Sequence, residues 1–319
     1  MDWKTTVKDC VEKACASNTH VSCVVSPDVD GILSMLVLTE YFRRKSISTS
    51  VIGIYDSEQL VTTHDSVTGD MLRNALWVDL DVRFSGVKYA IGQHYIGNVE
   101  TEETTFNPNT FFSVNDNYGD KYPYGTVHLL LWSLFDTEID AFPILKEKYS
   151  IARALFSHAD SAYLNVKKYW SNTAIWAFRL FPDPSCTPNT LQYLIDKTYF
   201  NETGLSMHIN MLQQIRPYVE HDTNEVLSSW KNCGGHQTTG TILKTIALLA
   251  YCSKELSMEP PYMNNESIVF WKGTRTRIKR YLLSKGNTLE EELRKRNVMS
   301  HAIVNINDIS ITCGNNPFV

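Results

Sequence analysis

A chain of 319 residues, 43% apolar and 20% charged, has the composition of a folded globular protein and the length of two ordinary domains. A formal net charge of −5 argues against an overall electrostatic grip on nucleic acid but leaves room for a local basic groove. There is no run of about 18 uncharged apolar residues, and the N-terminal MDWKTTVKDCVEKAC lacks the apolar core of a signal peptide. The seven cysteines form no CxxC pair and no regular framework, a pattern suited to a reducing compartment, so the expectation is a cytoplasmic protein with no membrane partner.

In chain order, the first half predicts alternating strands and helices. VSCVV (21–25) is short, β-branched and apolar, as a buried strand would be. GILSMLVLTEYFRRK (31–45) predicts a helix with an apolar face and a basic end. STSVIGIY (48–55), ALWVDLDV (75–82) and VKYAIG (87–92) predict three further strands. Strands separated by helical segments imply an α/β fold, a parallel sheet with flanking helices.

Beyond a polar, turn-rich stretch the chain becomes mostly helical, with candidates at 126–135, 142–156 and 161–181. PDPSCTPNT (182–190) has three prolines in nine residues and marks the expected domain boundary. The remainder predicts a smaller C-terminal α/β domain, with a helix at 241–256 and β-like runs at 267–271, 301–306 and 309–313. The division is thus residues 1–185 and 186–319.

The chemistry gathers at the strand ends, where parallel α/β sheets bind ligands. Asp28 and Asp30 follow VSCVV in the turn before the helix. Two carboxylates in so tight a turn can face one pocket, where a hard divalent cation would relieve their repulsion. LWVDLDV places Asp79 at the end of the third strand, with Asp81 two residues on. The fourth strand runs into AIGQHYIG and His94, and FSHADSAY brings His158 and Asp160 to a helix start. Each has a plainer explanation: Asp-x-Asp as a helix N-cap, Asp81 as a turn residue, His94 as a hydrogen-bonded loop histidine, and His158 with Asp160 as a helix cap. Their recurrence at successive strand ends favours a single site.

SPDVDG, VDLD, GQHY and HADSA, in this order, resemble the four motifs of the DHH phosphoesterase superfamily, which includes RecJ-like exonucleases, nanoRNases, cyclic-dinucleotide phosphodiesterases and a group of inorganic pyrophosphatases. FNPN (106–109) before a helix adds to the resemblance, which covers about residues 20 to 180. It implies Asp28, Asp30, Asp79, His94 and Asp160 as ligands of one or two Mn²⁺ or Mg²⁺ ions. Such ions activate a water and withdraw charge from phosphate during in-line attack. Two departures stand out. Gln93-His94-Tyr95 occupies the place of Asp-His-His, and Val24 stands where several relatives carry a histidine.

NCGGHQTTG (232–240) resembles the glycine-rich segment of the smaller DHH-associated domain, which implies that Gly234, Gly235 and His236 contact substrate phosphate. An ordinary Gly-Gly loop before a helix is the alternative, and about eighty residues follow it, more than the family leads one to expect. WKGTRTRIKRYLLSK (271–285) is basic. As a helix it would spread Lys272, Arg275, Arg277, Lys279 and Arg280 over more than one face, favouring a solvated surface; in the inter-domain cleft the same residues would follow a phosphate backbone.

The resemblance implies a metal-dependent phosphodiesterase hydrolysing single-stranded nucleic acid, short oligonucleotides or dinucleotides in the inter-domain cleft. The alternative is a catalytically impaired pseudoenzyme acting as a nucleic-acid-binding or protein-assembly module, with a protein partner or a second copy of itself. A third expectation is a small-phosphate enzyme such as a pyrophosphatase.

Overall fold

Successive residues of a strand face opposite sides, and the first strand, β1 (His20–Val25), shows what that does here. Cys23 and Val25 enter one hydrophobic core while Val24 enters another on the opposite face. Both faces are covered, which is why the strand is apolar on both sides from Cys23 to Val25. The computed structural model describes residues 3–15, 19–84, 86–94, 96, 104–111, 120–135, 142–147, 149–180, 202–215, 242–279, 288–303 and 307–318. Within them lie the helices α1 (Trp3–Lys13), α2 (Val29–Arg44), α3 (Gly69–Asn74), α4 (Thr126–Leu134), α5 (Ile151–His158), α6 (Ala162–Lys168), α7 (Trp170–Leu180), α8 (Glu202–Ile215), α9 (Ile242–Leu256) and α10 (Leu289–Lys295).

The remaining strands are β2 (Ser48–Tyr55), β3 (Gln59–Thr62), β4 (Leu76–Val78), β5 (Tyr89–Ile91), β6 (Thr105–Phe106), β7 (Tyr262–Met263), β8 (Ile268–Lys272), β9 (Thr274–Lys279), β10 (Val298–Ile303) and β11 (Asp308–Cys313). The main sheet has the order β6-β5-β4-β1-β2-β3-β8, with β7 also alongside β2. From β6 to β2 every pairing is parallel; β3 and β8 add an antiparallel edge. The fold is therefore α/β, with a mainly parallel central sheet and flanking helices.

The sheet separates two cores. On one face, residues of α1, α2, α4, α5, α8 and α9 pack against Cys23, Val25, Leu76, Val78 and Ile91. α2 is buried along nearly its whole length, with only its last two arginines exposed. On the other face Trp77, Tyr55, Phe84 and Trp271 pack together around Val24, Ile52 and Leu72.

The second sheet is antiparallel, in the order β10-β11-β9, and packs Ile303, Ile309 and Ile311 against Leu293 of α10. It is tied to the first by Arg83, which forms an ion pair with Glu290 and whose backbone N–H donates to Met299 O at 2.6 Å. The Tyr55 hydroxyl meets Ser300 Oγ at 2.6 Å.

Several sequence expectations change in detail. The segment 142–156 divides into a 3-10 turn, Pro143–Lys146, and α5, which Ser150 caps through the Arg153 N–H. The segment 161–181 breaks at Tyr169 into α6 and α7. SIVFW, from beyond the expected boundary, contributes β8 to the main sheet, and the basic segment after it begins as strand β9 rather than helix. The boundary stretch 182–190 lies outside the described residues, as does the glycine-rich stretch 232–240 with Gly234, Gly235 and His236.

Trp77 is fully buried and its indole N–H donates to Leu72 O at 2.9 Å. Trp77→Ala is expected to cost about 3–5 kcal/mol by chemical denaturation, the usual penalty for emptying a large buried aromatic site. A loss under 1 kcal/mol would show that the second core tolerates the void.

Candidate functional site

The direction of sheet growth reverses beside β1: β2 lies on one side, while β4, β5 and β6 follow on the other. A crevice opens at such a reversal outside the carboxyl ends of the strands. Ser26 N–H donates to Val78 O at 3.2 Å, so β1 and β4 end level with one another. Asp28 follows β1 and Asp79 follows β4, flanking the reversal. Asp79 adopts a left-handed backbone, φ 58°, which an aspartate tolerates better than most side chains and which turns the chain sharply at the strand end.

Asp28, Asp79, Asp81 and His94 line one pocket there. Asp28 is also the N-cap of α2, accepting from Gly31 N–H at 2.9 Å and from the Ser26 hydroxyl at 3.0 Å. Capping and pocket-lining, posed as alternatives by the sequence, fall on one side chain.

Asp30 does not line the pocket. Its two carboxylate oxygens accept from the N–H groups of Thr126 (2.7 Å) and Val127 (2.9 Å), the first residues of α4. A helix N-terminus offers unpaired amides and a positive dipole end, so a buried carboxylate is well placed there. Gly125 makes the approach possible: a Cβ at that position would lie 2.6 Å from an Asp30 oxygen. Thr126 also donates its hydroxyl to Asp79 Oδ1 at 2.7 Å, so one helix end holds both aspartates.

Burial pushes the Asp30 carboxyl up to about 7, and the charges of Asp28 and Asp160 add to the shift against the opposing amide bonds. Burial likewise raises Asp79 well above the ordinary carboxylate range, with Asp30, Asp28 and Asp160 contributing. Asp160, at φ 44° in the turn after α5, is therefore within electrostatic reach of the group, although it does not line the pocket. His158 points to different company: its Nδ1 lies 3.2 Å from His208 Nε2.

Asp81, expected as a turn residue, organises His94. Its Oδ2 accepts from both the backbone N–H and Nδ1 of His94, each at 3.1 Å, and its Oδ1 accepts from Asn107 Nδ2 at 2.6 Å. Burial alone would lower the His94 imidazole, but the hydrogen bond and charge of Asp81 outweigh it, with help from Asp160 and Asp28, and raise it to about 9. The FNPN stretch braces this corner. Asn107 also holds His94 O at 2.9 Å, its own Oδ1 accepts from Asn109 N–H at 2.7 Å, and Asn109 donates to Gln93 O. Gln93 is buried and does not line the pocket. Tyr95 lies outside the described residues.

The opposite wall comes from the antiparallel sheet. Arg275, Ser300, His301, Ala302, Ser310 and Thr312 line the same pocket. Arg275 Nε donates to Ser310 Oγ at 3.2 Å. His301 meets Ile96 O through Nε2 at 2.9 Å, and burial pushes its imidazole down to about 4, which keeps the ring neutral. Of these residues only Arg275 was considered a ligand contact from the sequence; His301, Ala302, Ser310 and Thr312 lie in the runs 301–306 and 309–313, read there only as strands. The signal that places Arg275 is the alternation in TRTRIK, which has the two-residue period of a strand.

For a divalent cation, the donor chemistry fits: the carried-over residues are four carboxylates and an imidazole, and mutual repulsion among the buried carboxylates is a charge deficit that a hard cation would relieve. Their present positions do not converge. Among the described residues, no three His, Cys, Asp or Glu side chains form a group able to hold a metal ion.

No protein-family model matches the sequence, and no curated protein matches it. Among solved structures, the chain has a remote likeness to an exonuclease RecJ bound to manganese, at 13% sequence identity and a TM-score of 0.33. The likeness covers 81% of this chain and 66% of that one, just under two thirds of its length. Among the described residues no helix is long and apolar enough to cross a membrane.

Thr126→Val removes the hydroxyl that holds Asp79 and keeps the side-chain shape. It is expected to lower stability by about 1–3 kcal/mol, with Thr126→Ser recovering most of the loss, both read from denaturant midpoints. A valine variant as stable as the native chain would show that the bond to Asp79 contributes nothing.

Proposed function

We propose that the chain is a divalent-cation-dependent phosphodiesterase acting on single-stranded nucleic acid, short oligonucleotides or dinucleotides. One observation carries this reading. Asp28, Asp79, Asp81 and His94, from three adjacent parallel strand ends, line a single pocket together with Arg275. Carboxylates, an imidazole and one guanidinium in the same pocket suit a phosphate ester, whose oxygens a guanidinium can grip in two places.

Mn²⁺ or Mg²⁺ would be held by Asp28 and Asp79, with Asp30, His94 and Asp160 as the other ligands carried over from the family resemblance. Bound there, the ion would supply a water activated at neutral pH and would offset phosphate charge. The chain's own residues do the rest. Arg275 orients the phosphate, while Asp81 and Asn107 fix the His94 ring so that it addresses the same pocket. Gly234, Gly235 and His236 are further candidates for phosphate contact, and the segments 1–185 and 186–319 for the catalytic and substrate-binding parts.

A second reading, a binding or assembly module on the same fold, is favoured by the engagement of the carboxylates. Asp30 is held by α4, and Asp81 by His94 and Asn107. Such a module would bind nucleic acid, a protein partner or a second copy of itself without chemistry.

The test pairs calorimetric Mn²⁺ titration with cleavage of a labelled single-stranded oligonucleotide and of dinucleotides. Asp28→Asn serves as the variant, since asparagine keeps the capping acceptor and removes the charge. The native chain is expected to bind Mn²⁺ and cleave, and the variant to lose at least about tenfold in both, more than 1.4 kcal/mol. Oligonucleotide binding with neither Mn²⁺ uptake nor cleavage would establish the module instead.

A further inference from the structure

The main sheet passes into the second sheet through one residue, Gly273, between β8 and β9. A Cβ there would lie 2.4 Å from the Trp271 ring and 2.8 Å from Thr312, so the junction admits only glycine without rearrangement. The direction of β9 relative to the pocket is set at this point. Along β9, Arg275, Arg277 and Lys279 fall on one face by the two-residue period. Pairing places Thr312, Ser310 and Asp308 of β11 directly beside them, and Ser300 and Ala302 of β10 beside Thr312 and Ser310.

Arg275, Thr312, Ser310, Ser300 and Ala302, all on this face, line the pocket. The surface that closes the pocket over the strand ends therefore continues past it, and the continuation carries Arg277 and Lys279. Both are exposed. Lys279 is steadied by Asp308 at 2.7 Å, the acidic group that faces it from β11. Successive cations on one strand face stand about 6.6 Å apart, a step comparable to that between phosphates of an extended single strand. In a chain of net charge −5, a grip on a polyanion has to be local, and this row begins inside the candidate site.

We propose that the β9 face is a backbone track: Arg275, Arg277 and Lys279 hold consecutive phosphates of a single strand and lead it into the pocket. The ligand is then a chain of several nucleotides rather than a dinucleotide or a free phosphate. This inference rests on the phosphodiester reading above and narrows its substrate class.

The experiment measures fluorescence anisotropy of labelled single strands of two, four, eight and twelve nucleotides with the full-length chain, at several salt concentrations. Dinucleotide cleavage in Mn²⁺ is followed in parallel. Affinity is expected to rise with length to about four or five nucleotides and then level off. Arg277→Glu is expected to weaken the eight-nucleotide strand at least fivefold and the dinucleotide by much less. Arg277→Ala is expected to reduce the slope of log affinity against log salt by about 0.7, the value for one lost single-strand phosphate contact. Arg277 is exposed, and circular dichroism checks that both variants are folded.

Dinucleotide binding or cleavage with no gain in affinity for longer strands would overturn the track and leave the phosphodiester reading standing. Native-like binding of the eight-nucleotide strand by Arg277→Glu would do the same. If strands of no length bind and none is cleaved, both ideas fall.

Discussion

The contact between Asp30 and the N-terminus of α4 is the constraint on which the rest of the site depends. Two backbone amides, nearly a hundred residues away in sequence, hold one buried carboxylate, and the neighbouring hydroxyl holds Asp79. The β1–α2 turn, the end of β4 and the start of α4 are thereby locked together. Asp30 would otherwise be an unpaired charge in an apolar interior, among the costliest groups a fold can contain. The helix end lowers that cost without removing it, and both carboxyls retain a raised proton affinity.

This gives the carboxylate group two layers. Asp30 and Asp79 are anchored by α4, while Asp28, Asp81 and His94 surround the opening with Asp79. The anchored layer positions the strand ends, and the half-buried outer layer lines the opening. The pairing of His94 with Asp81, braced by Asn107 and Asn109, extends the same principle to the end of β5. A buried asparagine ladder is costly to assemble unless every member is bonded, so FNPN acts as a rigid corner rather than a passive loop.

The two sheets divide the chemistry between them. The parallel sheet contributes acidic groups at its strand ends, and the antiparallel sheet returns Arg275 and the neutral His301 across the gap. Links that place them include the glycine at 273, the ion pair of Arg83 with Glu290, the Val82–Ser300 bridge, and the hydrogen bonds of Arg83 N–H to Met299 O, Tyr55 to Ser300 and His301 to Ile96 O.

The sequence by itself determined the parallel sheet. Short, mainly apolar, β-branched runs in 21–25 and 48–55 identify strands buried on both faces, and the aspartates follow at the ends where such sheets bind ligands. Periodicity and turn chemistry are local, so they can be read along the chain. Only the tertiary structure decided what each carboxylate does. Nothing local distinguishes Asp28, which lines the pocket, from Asp30, which binds α4; the difference lies in a helix that begins at Thr126. Tertiary structure also decided the fate of the basic segment. Five cations in nine residues, weighed as a helix from the sequence, begin a strand instead, and pairing with β11 placed Arg275, Arg277 and Lys279 on one face. Pairing across a sheet depends on residues distant in sequence, and no local pattern contains it.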